Sequence, residues 1–256
     1  MWRAARLLVL LAILAATALG AGLNRWRAQS WSRPQVLTLY PLAADDEAST
    51  LAYLDRLDKS DFARLAPWFR AQAAAHGLSL ETPLRVVLGR RIASPPPALP
   101  QDGSPLSAIR WSLQMRWWAW RHTPPSSPVP DVKLYLMYHD ANTDGALPHS
   151  AGIPQGRLGL VHLFASRAQQ GPNEVLIAHE TLHTFGASDK YDPATLAPLW
   201  PQGYAQPGDA PHWPQTQAEV MGGRLPLSAT QARIPHGLAE TLVGPHTAAE
   251  IGWRQP

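Results

Sequence analysis

The sequence predicts an α+β fold in a single domain, with an α/β-like upper part, and three observations carry that prediction. Strand-like and helix-like segments alternate irregularly through the first two thirds of the chain, one helical segment follows at about 172–185, and beyond it the chain is mostly loop. The 256 residues include 26 Pro and 18 Gly, too many breakers for a helical bundle. Apolar residues make up 45% and charged residues 16%, which supplies one sizeable core and excludes a disordered polyelectrolyte. Residues 36–42 (VLTLYPL) and 84–88 (LRVVL) read as strands, and 48–76 between them as one or two helices interrupted near Pro67. The proline-rich stretch 94–105 reads as a loop leading into a helix at 105–122, with Pro105 at its first position. After a second loop at 124–130, residues 131–138 and 158–165 are strand candidates. Residues 172–185 form a helix that begins on Pro172 and stops before Gly186. Only 245–253 promises regular structure in the tail, and no internal repeat is present.

The amino terminus reads as a targeting segment. A short basic start with Arg3 and Arg6 precedes an uncharged run of 17 residues, Leu7 to Leu23, as in a signal peptide or signal anchor. At 1.5 Å per helical residue the run spans about 25 Å, marginal for a bilayer, so a cleaved leader and a retained anchor both fit. Asn24-Arg25-Trp26-Arg27 and Trp31 read as an aromatic and basic collar at the membrane interface. The expected organisation is a leader over 1–24, a linker over 25–35 and a folded domain over 36–256. That domain is expected outside the cytoplasm, membrane-anchored and facing the periplasm or cell exterior, or secreted after cleavage.

Composition narrows the chemistry. The chain has no cysteine, so disulfides, a cysteine nucleophile and thiolate metal sites are excluded, and any metal must rest on His, Asp or Glu. Net charge is only +3, with two of the positive charges in the leader, so no nucleic-acid partner is implied. None of Lys59, Lys133 and Lys190 closes a phosphate-binding G-x-x-x-x-G-K-[ST] loop.

The stretch AHETLHTFGASDKYD contains His179-Glu180-x-x-His183 within the expected helix. Residues four apart on a helix lie about 40° apart in rotation, so both imidazoles can reach one ion. Glu180 is turned about 100° from His179, awkward for a ligand but suited to a general base acting on a nearby water. Gly186 can adopt positive φ and let the chain double back, so that Asp189 can supply a third ligand. Two imidazoles and a carboxylate with an open fourth position make a catalytic zinc site, with one Zn2+. A chain of this composition yields about 0.01 chance occurrences of H-E-x-x-H, so the motif is a strong signal.

His179-Glu180-x-x-His183-x-x-Gly186-x-x-Asp189 resembles the metzincin metallopeptidase signature, in the variant whose third ligand is aspartate, as in the snapalysin-like peptidases. Glu219-Val220-Met221-Gly222-Gly223 resembles the family's methionine turn. The resemblance covers about residues 158–253. It implies a zinc-dependent endopeptidase acting on peptides or proteins, with a twisted mixed sheet, an active-site helix and a loop-rich carboxy-terminal subdomain. It also implies that the strand before the helix, 158–165, is a sheet edge that pairs with extended substrate. Many metzincins carry Tyr two residues after the turn methionine. Here that residue is Gly223, and Tyr191 and Tyr204 are the candidates to assist an oxyanion.

Two rival readings stay open at this point. In one, a distant Glu219 or Glu240 is the third ligand; in the other, zinc stabilises an envelope assembly or binding protein without turnover. Asp140-Ala141-Asn142-Thr143-Asp144-Gly145 matches the front half of a calcium loop, but Ala151 stands where a bidentate Glu is needed, so a plain turn is favoured over Ca2+. Trp111, Trp117, Trp118 and Trp120 spread over more than one helix face and read mainly as packing against the sheet, with a membrane-facing or ligand-facing aromatic patch as the alternative. His149, His162, His212, His236 and His246 read as isolated, and Lys190 as an exposed loop lysine.

Overall fold

The computed structural model describes residues 29–253 except 101, 143–145 and 154–156, together with isolated positions 2, 6, 11, 20 and 22. Its frame is a five-stranded sheet built from β1 (Gln35–Ala43), β2 (Leu84–Leu88), β3 (Val132–His139), β4 (Ala151–Ile153) and β5 (Leu158–Phe164). The order is β2-β1-β3-β5-β4; four strands are parallel and β4 is antiparallel to β5. The registers set Leu39 opposite Leu134 and Leu136 opposite Val161. Parallel strands need crossover helices on both faces, which is why these segments are apolar on both sides.

Helices α1 (Ala48–Asp55) and α2 (Leu65–Ala75) connect β1 to β2, and α3 (Pro105–His122) connects β2 back across to β3. The two connections travel in opposite directions along the sheet, and right-handed crossovers then require opposite faces. Accordingly Leu37, Leu39, Leu134, Leu136, Val161 and Leu163 pack with α1, α2 and the later helix α4 (Gln170–Phe185). The alternate residues Tyr40, Leu42, Tyr135, Met137 and Leu160 pack with Trp111, Met115 and Trp118 of α3. Both helices and a mixed sheet are present, so the α+β class predicted from sequence is the one observed.

Several boundaries differ from expectation for identifiable reasons. The helical run after β1 breaks at 56–64, where a short 3-10 turn (Lys59–Phe62) intervenes, and Pro67 sits in the first turn of α2. That position leaves an amide unpaired in any residue, so proline costs nothing there. Strand β5 is interior, paired with β3 on one side and β4 on the other, which corrects the expected edge at 158–165. The edge is β4, three residues long and too short to announce itself within a stretch read as loop. The tail carries two further strand pairs, Ala218–Glu219 with Thr241–Leu242 and Leu225–Pro226 with Ala232–Arg233, and helix α5 (Pro245–Glu250).

Among the described residues no helix is long and apolar enough to cross a membrane, and the leader and most of the collar lie outside them. Trp31, however, is described, and it is core rather than collar. Its ring packs on Phe185 at 4.6 Å and Trp253 at 5.7 Å, and its Nε1 donates to the Ile251 carbonyl at 2.7 Å. The stretch expected as linker therefore closes the end of α4 at Phe185. Trp31→Ala should lower the unfolding free energy by about 3–5 kcal/mol, since it removes a buried aromatic and leaves a carbonyl unpaired. Denaturant titration checks this; a change below about 0.5 kcal/mol is what an interface collar gives and counts against the packing role.

Candidate metal centre

Helix α4 is fixed at both ends. Near its start the Asn173 side chain completes the end of β5, with Oδ1 accepting from the Phe164 amide at 3.2 Å and Nδ2 donating to the Phe164 carbonyl at 2.9 Å. At its end Gly186 takes φ +104°, and the Ala187 amide donates back to the Leu182 carbonyl at 3.1 Å. A residue with a Cβ is strained in that left-handed conformation, so glycine is what allows the chain to reverse here. The helix itself is buried on most sides, including His179, Glu180 and Leu182.

The reversal brings Asp189 against the two histidines. Its Oδ1 lies 3.1 Å from His179 Nε2 and 3.1 Å from His183 Nε2, and the two Nε2 atoms are 3.0 Å apart. His179 Nδ1 lies 2.9 Å from the Val220 carbonyl and His183 Nδ1 lies 2.8 Å from the Ala187 carbonyl. Carbonyls only accept, so each Nδ1 carries the hydrogen and each neutral ring presents a bare lone pair at Nε2. Two such lone pairs and a carboxylate oxygen, all about 3 Å apart, repel unless a cation or proton sits among them. Ligands 2.0–2.1 Å from a tetrahedral zinc stand about 3.4 Å from one another, so a few tenths of an ångström of expansion fits one ion. Glu180 also offers an oxygen within 4.8 Å of the two ring nitrogens, and Asp189 Oδ1 stands closer, 3.1 Å from each.

Charges respond accordingly. Burial lowers the His179 pKa, but Asp189 and Glu180 outweigh it and carry it up to about 9. Burial works to raise Asp189, and the hydrogen bonds from His179 and His183 overcome it, holding the carboxyl well below the usual range. Glu180 is raised, first by burial and then by Asp189, against the pull of the two histidines. Its Oε2 is buried with no hydrogen-bond partner, which leaves an acceptor waiting for a group from outside the chain.

A circuit of hydrogen bonds holds the ligands. The Val220–Gly222 turn, carrying fully buried Met221, lies under His179 through the Val220 carbonyl, and the Lys190 amide donates to the Met221 carbonyl at 2.9 Å. Glu219 Oε2 accepts from the Gly222 amide at 2.9 Å, while its Oε1 accepts from the Gly244 amide at 3.0 Å and Thr247 Oγ1 at 2.7 Å. At the other end of α5, Glu250 accepts from Lys190 Nζ at 2.7 Å, from Ser188 Oγ at 2.6 Å and from the Ser188 amide at 3.0 Å. Lys190 is thus buried and ion-paired, correcting the exposed loop lysine expected from sequence. Both oxygens of Glu219 are spoken for, and Glu240 pairs with Arg233 at 2.7 Å, so neither is placed as the distant third ligand.

Tyr191 reaches the centre. Its ring lies 6.3 Å from that of His179, and burial, followed by the Asp189 and Glu180 charges, pushes its pKa up to about 12. The phenol therefore keeps its proton beside Asp189. Its ring lies beside Gly223, where a Cβ would make ordinary contact with Tyr191 Cδ1 at 3.5 Å. The Tyr204 hydroxyl instead accepts from Trp213 Nε1 at 3.2 Å. Beyond the motif, Gly152 of β4 presses on His183: a Cβ at 152 would lie 2.5 Å from the His183 Cβ, so only glycine brings the edge strand this near. Sequence reading missed this strand and the glycine's role entirely.

Two other expectations have clear outcomes. Asp140 accepts from Ser49 Oγ at 2.8 Å, its amide donates to Asp45 at 2.8 Å, and Ala151 opens β4; Thr143, Asp144 and Gly145 lie outside the described residues. That arrangement is a strand-ending turn. His162 is not isolated: its Nδ1 lies 2.8 Å from His139 Nε2 on the α3 face of the sheet. Burial, then His139, pushes His162 down to about 4, so the pair is neutral and one ring donates to the other.

In comparison with known proteins, no family model and no curated protein sequence matches the chain.

Proposed function

We propose that the chain is a zinc-dependent peptidase of the metzincin kind, acting on peptides or proteins outside the cytoplasm. The observation that carries this reading is the triangle of His179 Nε2, His183 Nε2 and Asp189 Oδ1, 3.0–3.1 Å apart beside a buried Glu180 oxygen with no hydrogen-bond partner among the described residues. His179, His183 and Asp189 would hold the ion. Zinc, when bound there, polarises a substrate carbonyl and acidifies water beside it. Glu180 then takes the proton of the attacking water, and burial, followed by the Asp189 charge, holds its carboxyl above the usual range and so strengthens it as a base. The same carboxyl can return the proton to the departing amine. Val220 and Ala187 carbonyls fix both ring orientations so that no catalytic geometry is searched for in each turnover. Tyr191, kept neutral, offers a hydroxyl to the oxyanion side. Strand β4 ends the sheet with Gly152 against His183, and an extended peptide pairing along that edge passes the centre. A purely structural zinc has no use for a buried, unpartnered base.

Three outcomes test the reading. In the ion-free protein the His179 proton persists up to about pH 9, so zinc must displace it at lower pH. Apparent zinc affinity should rise about tenfold per pH unit and level off above about 9, with about one proton released per zinc near neutrality. Titration calorimetry in buffers of differing ionisation enthalpy measures that proton; heats independent of buffer count against it. Asp189→Ala should weaken zinc binding by an order of magnitude or more, with Asp189→His retaining metal, and undiminished binding by the alanine variant rejects Asp189 as a ligand. Glu180→Gln should keep zinc and lose about two to four orders of magnitude in peptide hydrolysis. Hydrolysis at the wild-type rate removes Glu180 as the base, and a wild-type protein inert on a mixed peptide library removes the peptidase.

A further inference from the structure

We propose that the outward face of α3 is a membrane-surface site, seating on a bilayer rich in anionic headgroups. The observation is a stripe of large apolar side chains that the fold leaves unburied: Leu106, Ile109, Leu113, Trp117 and Trp120, each between 59% and 78% exposed. Single exposed apolar residues are ordinary, but these recur at helical spacing and fall within about 80° of arc at 100° per residue. The arc is centred opposite the buried face of Trp111, Met115, Trp118 and Ala119. Both faces of the helix are therefore apolar, and only one has the sheet to cover it.

Charge identifies what covers the other. Arg116 flanks the stripe on one side and Arg110 and Arg121 on the other, and α3 contains no acidic residue. Among the described residues none of the three arginines pairs with a carboxylate. The preceding acid, Asp102, is occupied by the Ser104 amide at 3.0 Å and Ser107 Oγ at 2.6 Å. An apolar arc with tryptophans, bordered by arginines whose stems lie along it and whose heads reach outward, is the pattern of a helix lying in a bilayer interface. A second copy fits worse, because a twofold contact would set these arginines against their own equivalents with no carboxylate between them.

The placement also suits the fold. The buried face is fastened to the sheet by the Trp118–Tyr135 edge contact at 4.9 Å and by Trp111 Nε1 donating to the Pro97 carbonyl at 3.0 Å, so the stripe is presented rigidly. Helix α3 covers the sheet face opposite to α4, so a bilayer on it leaves the metal centre open to water.

The full chain is suited to a local test because it has no cysteine. Leu113→Cys, with Trp117→Cys as a second position, carries an environment-sensitive fluorophore, and Ala229→Cys on an exposed loop serves as control. The labelled chain is mixed with vesicles of equal parts phosphatidylglycerol and phosphatidylcholine, containing a nitroxide lipid as quencher, and with vesicles of phosphatidylcholine alone. Expected is a blue shift and several-fold greater quenching at 113 or 117 than at 229, strongest on the anionic vesicles. Arg110→Gln, Arg116→Gln and Arg121→Gln together should reduce the anionic preference about tenfold or more. A label at 113 and 117 that stays aqueous while the chain is vesicle-bound, or a chain that binds no vesicle, overturns the proposal. So does crosslinking of 113 to 113 in solution, which makes the face an interface between copies, and so does equal quenching on both vesicle types. The leader cannot mimic the expected result, since it would bring the chain to the vesicle without burying α3.

Discussion

His179 Nε2, His183 Nε2 and Asp189 Oδ1 stand about 3 Å apart, a crowding that a shared proton satisfies in the ion-free chain, and the carboxy-terminal third of the chain keeps them there. His179 and His183 are set by the helix, but Asp189 must be pushed against them from outside it. The backbone reversal at Gly186 aims it; the hydrogen-bond circuit then prevents its escape. That circuit runs from the Val220 carbonyl through Glu219 to α5, and from Glu250 back through Lys190 and Ser188 to Asp189. Each member satisfies a group that burial would otherwise leave costly, so the pocket is prepaid by hydrogen bonding that does not involve the ligands' free nitrogens.

The legible parts of this molecule in its sequence were the local ones. Strands 84–88 and helix 105–122 were read at their observed bounds, because a run of β-branched residues and a proline at the first helical position are signals carried by neighbouring residues. The meeting of His179, His183 and Asp189 was legible for the same reason: i, i+4 spacing and a glycine terminator are written within eleven positions. Long-range pairing was not legible. Nothing near Lys190 announces Glu250, sixty residues away, and a lysine in a loop of serine and aspartate looks solvated until the tail folds over it. Trp31 was misread on the same ground, since its partners Phe185 and Trp253 lie 154 and 222 positions further along the chain.

The misplaced sheet edge has a different cause. Strand β5 looks like a covered strand because it is one, apolar on both faces, and only the existence of β4 decides that it has a neighbour on each side. Three residues of β4, Ala151-Gly152-Ile153, carry too little pattern for any periodicity to register. Its glycine, however, is what admits the strand to within contact of His183, so the least legible strand of the sheet is the one nearest the chemistry. Short edge strands are a common way to blunt unwanted pairing, and shortness removes the signal.

Helix α3 shows how the same residue type is sorted by geometry alone. Trp111 and Trp118 are buried and Trp117 and Trp120 exposed, although all four lie within ten positions of one another. The sheet can cover only about a third of a helix's circumference, and the crossover direction fixed which third it was. An aqueous surface gains nothing from tryptophans on the remaining arc, and their exposure costs solubility that a water-facing helix would regain by substitution with polar residues. Arginines on both borders and no acid along the helix turn that cost into complementarity for a negatively charged, apolar-cored surface. The fold thus divides its two faces: the side of the sheet bearing α1, α2 and α4 brings His179, His183 and Asp189 together, and the side bearing α3 carries the apolar arc and its arginines.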